Sequence, residues 1–434
     1  MSEKSHECSR RRGAEGSDGC SCGNASTQPW PSSVKYLSLT ECTPSIAAAL
    51  THLASGPAKL HQGASDGQAL PSSAFKTEPR FTNTLYGRLD ARGAAIRLLR
   101  ITPGGPTDPL HGSLEVANLD QPPAYDALSY TWADDQGDKS LKETIFLGQQ
   151  YTPLPITSNC SAALRNLRRR ETQVVLWVDS VCINQYADDE RSHQVGLMGR
   201  IYSLARSVII YLGEDSYRGK STGEKVMDRI DYIWHGQLSL TGSYWGQDNL
   251  DTDFVDFFSR AYFSRLWIIQ EIALAREAWV VCGSWRLNWT LFGSHNLKGL
   301  EVRNYIPSWI HHVLGGPRDR DLKQFAELLI ATSGCQASDA RDKVFGLLGL
   351  SREATELALV PDYSRSLREV YMGTAALLLQ QGVADLVFTA AAASDRSLEK
   401  GIPGWVPLWN NPMTVSQQDL IQHLIPLLHW LYSR

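Results

Sequence analysis

Apolar residues in the middle of the chain fall into runs and spacings that predict strands alternating with a helix. Val174–Val178 is a short continuous apolar run, typical of a strand that is buried on both faces. Apolar residues then recur at helical spacing between Val195 and Ala205, and a second apolar run, Val208–Leu212, ends at Gly213. Because short links join these segments, the pattern predicts a βαβ unit and hence a small, mostly parallel sheet with flanking helices.

Shorter patterns predict further elements on both sides of this unit. The predicted strands are Ile96–Ile101, Tyr125–Trp132 and Ala278–Cys282, with a hairpin of Ile145–Leu147 and Tyr151–Leu154. The predicted helices are Ser158–Arg170, Glu224–Trp234, Phe254–Tyr262, Ser264–Arg276, Leu322–Thr332, Leu367–Gln381 and Gln418–Leu431. Near the end, Gly404–Trp409 predicts a turn or an edge strand.

The composition changes along the chain and divides it into three predicted regions. Residues 1–80 are rich in Ser, Gly, Ala, Thr and charged residues without strong periodicity, which predicts a disordered leader. Residues 81–285 carry most of the strand patterns and predict the α/β domain. Residues 286–434 predict a mainly helical C-terminal region. The expected fold class is therefore α/β, followed by helices.

Charge and hydropathy limit the classes of partner. The formal net charge of -4 argues against a nucleic-acid-binding protein, whose affinity would depend on a basic surface. No apolar run follows the basic N-terminal residues as in a signal peptide, and no segment has the roughly 18 to 20 apolar residues of a membrane helix. We therefore expect a cytoplasmic protein with no membrane segment and no nucleic-acid partner.

The eight cysteines do not have the spacing of a metal site. Cys20 and Cys22 are separated by one residue, whereas zinc ligands of this kind are separated by at least two. The later cysteines, Cys160, Cys182, Cys282 and Cys335, are scattered singly and are expected to be free, buried thiols. We expect no metal ion and no cofactor.

One segment is similar to a phosphate-binding loop but departs from its pattern. Gly213–Ser221 follows a predicted buried strand and ends in Gly-Lys-Ser. Its two glycines are separated by five residues instead of four, and Glu214 and Asp215 would repel a phosphate. The segment is therefore not interpreted as a nucleoside triphosphate site.

Three blocks resemble the heterokaryon incompatibility (HET) domain of filamentous fungi. Tyr125–Trp132 is similar to the family's Tyr-x-Ala-Leu-Ser-Tyr-x-Trp, and Leu176–Gln185 to its strand and Cys-Ile-Asn-Gln loop. Arg260–Glu271 is similar to Arg-x-Tyr-Phe-x-Arg-x-Trp-x-x-Gln-Glu, and the one departure is Ala133, where the family usually has Gly. The resemblance implies a module of fungal non-self recognition and programmed cell death.

Two downstream segments, 340–349 and 361–363, are also similar to sequences that commonly follow this domain. From the residues alone, we interpret them as helix packing with a helix-ending glycine.

Glu271 is the candidate catalytic residue. Trp267 lies four residues before it, so the two share one face of a helix, and a carboxylate beside an indole tends to have a raised pKa. This spacing is similar to that of TIR domains, a distantly related family of α/β domains in which several members use the corresponding Glu to cleave NAD. The resemblance implies an NAD glycohydrolase-like enzyme with NAD as substrate. Alternatively, Glu271 pairs with an arginine such as Arg265 or Arg341 and stabilises the domain.

The remaining candidates lie where parallel strands end, because ligands bind beyond the carboxyl ends of such strands. The predicted ligand-binding residues are Ser129, Tyr130, Trp132, Asp179, Asn184 and Trp267. They would supply hydroxyl and amide hydrogen bonds and an aromatic face for a base or nicotinamide ring. The alternative is a core tryptophan and an Asp/Asn loop that satisfies its own backbone.

Two classes of function remain open from the sequence. The domain is either an enzyme that depletes NAD or a non-enzymatic interaction module that acts by self-association as a homo-oligomer, in both cases under an unidentified protein trigger. The enzyme requires Glu271 in an open pocket, whereas the module requires an exposed apolar patch.

Overall fold

A computed structural model of the chain describes residues 85–87, 89, 93–217, 219–234, 250–289, 306–307, 309–310, 324–396, 399 and 401–411. The predicted leader, residues 1–80, and the predicted helix Gln418–Leu431 lie outside the described residues.

A nine-stranded sheet forms the centre of the described structure, and a two-stranded hairpin lies beside it. The strands of the sheet are β1 (Ala95–Ile101), β2 (Leu110–Asn118), β3 (Asp126–Ser129), β4 (Glu143–Leu147), β5 (Thr152–Ile156), β6 (Val174–Trp177), β7 (Ser207–Tyr211), β10 (Ala278–Cys282) and β11 (Trp285–Asn288), and the hairpin is β8 (Ser216–Tyr217) with β9 (Lys220–Ser221). Their order in the sheet is β11-β10-β7-β3-β6-β1-β2-β4-β5.

The sheet is mixed, so the expectation of a mostly parallel sheet is wrong. Strands β10, β7, β3 and β6 form a parallel centre, and β2 also pairs parallel to β4. The pairs β11·β10, β6·β1, β1·β2 and β4·β5 are antiparallel. The sequence patterns did not predict β2 or β11, and both strands form antiparallel pairs. Antiparallel neighbours can be joined by short turns, whereas parallel neighbours need a longer crossover. Both strands carry exposed polar residues rather than apolar runs.

The parallel centre confirms the βαβ prediction. Strands β6 and β7 both pair in parallel with β3, which lies between them. Every residue of β3 and β7 is buried, as expected for strands covered on both faces. At the far edge, β5 carries Pro153 and Pro155, which cannot donate backbone hydrogen bonds and are tolerated because the edge is unpaired.

Helices flank the sheet and are the main regular elements of the described residues after 324. They are α1 (Ser158–Leu167), α2 (Asp179–Cys182), α3 (Asp188–Leu204), α4 (Gly223–Trp234), α5 (Leu250–Phe258), α6 (Ala261–Ser264), α7 (Trp267–Ala273), α8 (Phe325–Ala331), α9 (Asp342–Phe345), α10 (Arg352–Glu356), α11 (Leu367–Gln380) and α12 (Ala384–Ala393). Gly404–Trp409 forms turns rather than a strand. None of the helices in the described part of the chain has the length and apolar character needed to cross a membrane.

The predicted helices at Phe254–Tyr262 and Ser264–Arg276 are broken into three shorter ones. Arg265 has an extended backbone (φ -77°, ψ 138°) and forms a parallel bridge with Gln336. The Gln336 amide donates to the Ser264 carbonyl at 2.5 Å, and the Leu266 amide donates to the Gln336 carbonyl at 2.9 Å. These bonds to a distant segment replace local helical bonds, so α7 begins only at Trp267.

The segment after β7 is a hairpin held by a buried arginine. The backbone turns at Gly213, where φ is 92° and only glycine is unstrained. Arg260, 1% exposed, donates to the carbonyls of Leu212, Glu214 and Asp215 at 2.7–2.9 Å. The segment therefore binds the Arg260 guanidinium through carbonyl oxygens, whereas a phosphate-binding loop binds its anion through backbone amides.

The four described cysteines, Cys160, Cys182, Cys282 and Cys335, are free and buried, as expected for a chain of this composition. Within the described residues there is no cluster of three or more metal-ligating side chains.

The close pairing of β1 and β2 makes Gly112 sensitive to substitution. A Cβ at Gly112 would lie 2.5 Å from the Arg100 carbonyl oxygen, whereas a Cβ at Gly334 would meet nothing within 4 Å. We expect Gly112→Ala to lower the free energy of unfolding by about 1–3 kcal/mol because the backbones must separate. Gly334→Ala is the matched control and should be neutral within about 0.5 kcal/mol. Denaturant titration of both variants measures the difference, and equal stabilities would refute the strand register.

Candidate functional site

The Glu271 carboxylate is buried between α7 and the end of β3. Only 3% of the residue is exposed. The Ser129 hydroxyl donates a short hydrogen bond to Glu271 Oε2, and the Tyr262 hydroxyl lies 2.6 Å from Ser129 Oγ. Because Ser129 has a single proton to donate, Tyr262 is the donor in the second bond. A chain of hydroxyls thus runs from Tyr262 through Ser129 to the carboxylate.

This environment changes the protonation of Glu271. Burial raises its pKa from 4.5 to about 7, and the negative charge of Asp179 adds to the increase. The positive charge of Arg265 and the Ser129 hydrogen bond oppose the increase without cancelling it. At neutral pH the group is therefore close to half protonated, which suits a residue that both accepts and donates protons.

The alternative ion pairs of Glu271 are not formed. Arg341 binds Asp339, with its Nε 3.0 Å from Asp339 Oδ1. Arg265 donates to the Tyr130 carbonyl and acts on Glu271 only through its charge. Within the described part of the chain, no arginine lies at ion-pair distance from Glu271.

Asp179 provides a second carboxylate at the same edge of the sheet. It directly follows Val178 at the end of β6, whose parallel neighbour is β3. The Trp132 indole Nε1 donates to Asp179 Oδ2 at 2.8 Å, and the Ser180 amide donates to Oδ1 at 2.7 Å. Burial raises the pKa of Asp179 and the charge of Arg265 lowers it. The single arginine therefore acts electrostatically on both carboxylates.

Tyr130 is close in sequence, but its side chain lies apart from Glu271. Its hydroxyl donates to Ser180 Oγ at 2.7 Å, and its side chain is fully buried. Its carbonyl binds Arg265, and its side chain lowers the pKa of Asp179 through a hydrogen bond.

Asn184 lies in a separate network. Its Oδ1 accepts from the Tyr186 amide at 3.1 Å, and its own amide donates to Glu190 Oε1 at 2.7 Å. Glu190 forms a buried ion pair with Arg97 at 2.6 Å. Among these described residues, no hydrogen bond joins Asn184 to Glu271 or Asp179, and its visible role is to shape the loop after β6.

Trp267 is held by the C-terminal region. Its indole Nε1 lies 3.1 Å from Asp342 Oδ2, and the Tyr363 hydroxyl donates to Asp342 Oδ1 at 2.6 Å. Burial raises the pKa of Asp342 to about 6. Trp267, which was expected to offer an aromatic face to a ligand, is partly exposed as a residue.

The structure adds residues that the sequence analysis did not select. They are Tyr262, Asp342 and Tyr363, together with Tyr202, whose side chain lowers the pKa of Glu271 through a hydrogen bond. Arg265 acts as a charge on both Glu271 and Asp179 rather than as an ion-pair partner. Tyr262 and Arg265 belong to the third block of the resemblance, and Asp342 and Tyr363 to the two downstream segments. Their presence in those blocks was the available signal, but their contacts depend on the tertiary fold.

Comparison with known proteins supports the resemblance over the segment that holds this site. Residues 125–271 match the family described as heterokaryon incompatibility protein (HET). The chain is 29% identical over 399 residues to heterokaryon incompatibility protein 6, OR allele, of Neurospora crassa. The match covers 74% of this chain and 59% of that protein, so the chain spans less than two thirds of the relative's length. No solved structure matches the chain.

The raised pKa of Glu271 predicts a specific pH dependence of stability. Between pH 4.5 and about 7 the unfolded chain loses this proton while the folded chain retains it, so the free energy of unfolding falls as pH rises. We expect the fall between pH 5 and 8 to be smaller in Glu271→Gln by about 2–3 kcal/mol. Denaturant titrations at pH 5 and pH 8 measure the free energy of unfolding, and the difference between the two gives its slope against pH.

The exposed residue Glu356 provides the matched control, since Glu356→Gln should keep the slope of the parent. Identical slopes for the parent and Glu271→Gln would show that the Glu271 carboxylate is not perturbed.

Proposed function

We propose that this chain, whose residues 125–271 form a HET domain, acts in the non-self recognition that ends in the death of fused, genetically unlike fungal cells. The support is the family match together with the similarity to a Neurospora crassa protein named for heterokaryon incompatibility. Because the chain spans 59% of that relative, its role as a whole protein is part of the proposal.

The reaction we propose is hydrolysis of the bond between nicotinamide and ribose in NAD, with Glu271 as the catalytic residue. The observation that carries this proposal is a buried carboxylate with a pKa of about 7 at the carboxyl end of a central parallel strand. Carboxylates with such pKa values are typical of catalytic sites, and ligands of α/β sheets bind at this edge.

The chemistry assigns each neighbour a role. When the glycosidic bond breaks, its electron pair leaves with nicotinamide and positive charge develops on the ribose, which the Glu271 carboxylate stabilises. Water then adds to the ribose and gives up a proton, so the products are nicotinamide, ADP-ribose and one proton. Ser129 orients the carboxylate, and the partly exposed indoles of Trp132 and Trp267 offer aromatic faces to the ring.

Access to Glu271 requires a rearrangement. The carboxylate is 3% exposed, so NAD can reach it only after the surrounding side chains separate. The bonds from Trp132 to Asp179 and from Trp267 to Asp342 involve partly exposed indoles and are the contacts we expect to open. In this proposal the closed chain is nearly inactive, and assembly or a protein trigger opens it.

The test is NAD consumption by the full chain at high concentration, followed by chromatography of nicotinamide and ADP-ribose. We expect the parent to release both products and Glu271→Gln to lose at least about 100-fold in rate, because the transition-state charge is no longer neutralised. Glu356→Gln should match the parent. Equal rates for Glu271→Gln and the parent would refute the catalytic assignment.

A second candidate function is favoured by the burial of Glu271 and its hydrogen bond to Ser129. In this case the carboxylate stabilises a non-enzymatic module that signals by self-association. The large exposed apolar residues of the described chain lie on separate elements and include Val116, Val255 and Phe388.

Expression of Glu271→Gln in fungal cells, with its assembly followed by light scattering, distinguishes the two candidates. The module predicts killing and self-association equal to those of the parent with no NAD loss. The enzyme predicts that killing disappears.

A further inference from the structure

A cavity of about 540 Å³ lies on the face of the sheet opposite to Glu271. Asp126 of β3, Ile209 of β7 and Trp279 of β10 line it. Ser129 lies three residues after Asp126 and binds Glu271, so strand alternation places the two sites on opposite faces. The volume is in the range of sites for small organic ligands.

The lining of this cavity carries an excess of positive charge. Its charged residues are Arg168, Arg169, Arg206, Arg286, Asp126 and Glu277. Asp126 is already neutralised, since Arg206 binds both of its carboxylate oxygens and the Ser207 hydroxyl donates to Oδ1 at 2.8 Å. No ion pair joins Arg169 or Arg286 to an acid within the described residues. The cavity therefore attracts an anion.

Two of the arginines are fixed before any ligand arrives. Arg206 is held by its two bonds to Asp126. Arg168 donates to the carbonyls of Gly105, Asp108 and Pro109, and its buried Nε has no hydrogen-bond partner. Positive charge held in place by the fold loses little freedom on binding an anion, which favours affinity.

An aromatic surface lies beside this charge. The Arg286 guanidinium lies 5.1 Å from the centre of the Trp279 ring, and residue Trp285 also borders the cavity. Both tryptophans are partly exposed. A guanidinium stacked on an indole offers a flat surface to a planar ring and also binds oxyanions in a fork geometry.

We propose that this cavity is a binding site for a mononucleotide, an aromatic base that carries a phosphate. The base stacks against Trp279 and Arg286, and the phosphate is bound by Arg168 and Arg169, which form no ion pair with an acid within the described residues. The site is separate from the one proposed for NAD cleavage, and neither depends on the other.

Isothermal titration of the full chain with AMP, and with inorganic phosphate as the second probe, tests the proposal. We expect AMP to bind at least about tenfold more tightly than phosphate. We also expect its affinity to fall as the salt concentration is raised. The substitutions Arg286→Ala and Trp279→Ala should each lower the affinity for AMP by at least about tenfold. Arg368→Ala, which removes an exposed arginine of α11, is the matched control and should bind as the parent does.

Thermal melting identifies any variant that fails to fold, and Arg286 is exposed, so its variant should melt as the parent does. Glu271→Gln should retain AMP binding in full. Absence of AMP binding, equal affinity for phosphate, or equal affinity of folded Arg286→Ala would overturn the proposal. Loss of AMP binding in Glu271→Gln would overturn it as well, because the ligand would then occupy the other face.

Discussion

The burial of one carboxylate, Glu271, against the end of β3 is the constraint on which the site depends. A buried carboxylate destabilises the fold unless it is protonated or its negative charge is compensated by nearby groups. Both effects are present at Glu271. The pKa rises to about 7, while Ser129 donates a hydrogen bond and Arg265 contributes a positive charge nearby. Because the compensation is incomplete, the carboxylate keeps a protonation equilibrium near neutral pH.

The helix that carries Glu271 is positioned from the C-terminal side of the chain. Gln336 pairs with the backbone at Arg265 and Leu266 and fixes where α7 begins. Asp342 binds Trp267 in the first turn of the same helix. The HET-matching segment ends at residue 271, so residues beyond that segment help to fix the geometry of its last block. A substitution at Gln336 or Asp342 would therefore alter the position of the helix that carries Glu271 without contacting Glu271 itself.

The two faces of the parallel centre offer different chemistry. One face carries Glu271, whose pKa, like that of Asp179, is lowered by the positive charge of Arg265. The other carries the arginine-rich cavity and its tryptophans. Alternation along β3 separates the two faces, since Asp126 lines the cavity and Ser129 binds Glu271. A single central strand thus contributes to both sites.

The sequence by itself determined the elements that depend on local pattern. The buried strands at β6, β7 and β10, the helix between β6 and β7, and the β4–β5 hairpin all follow from apolar periodicity or turn residues. The three blocks lie within or at the ends of the segment that matches the HET family, and the Trp267–Glu271 spacing drew attention to a carboxylate whose pKa is raised.

Only the tertiary structure decided which distant segments meet. Ser129 and Glu271 are 142 residues apart, and Trp267 and Asp342 are 75 residues apart, so no local period encodes either contact. The same holds for the mixed sheet and for the helix break at Arg265. Periodicity reports which side of an element is buried, whereas packing and backbone pairing select the partner that buries it.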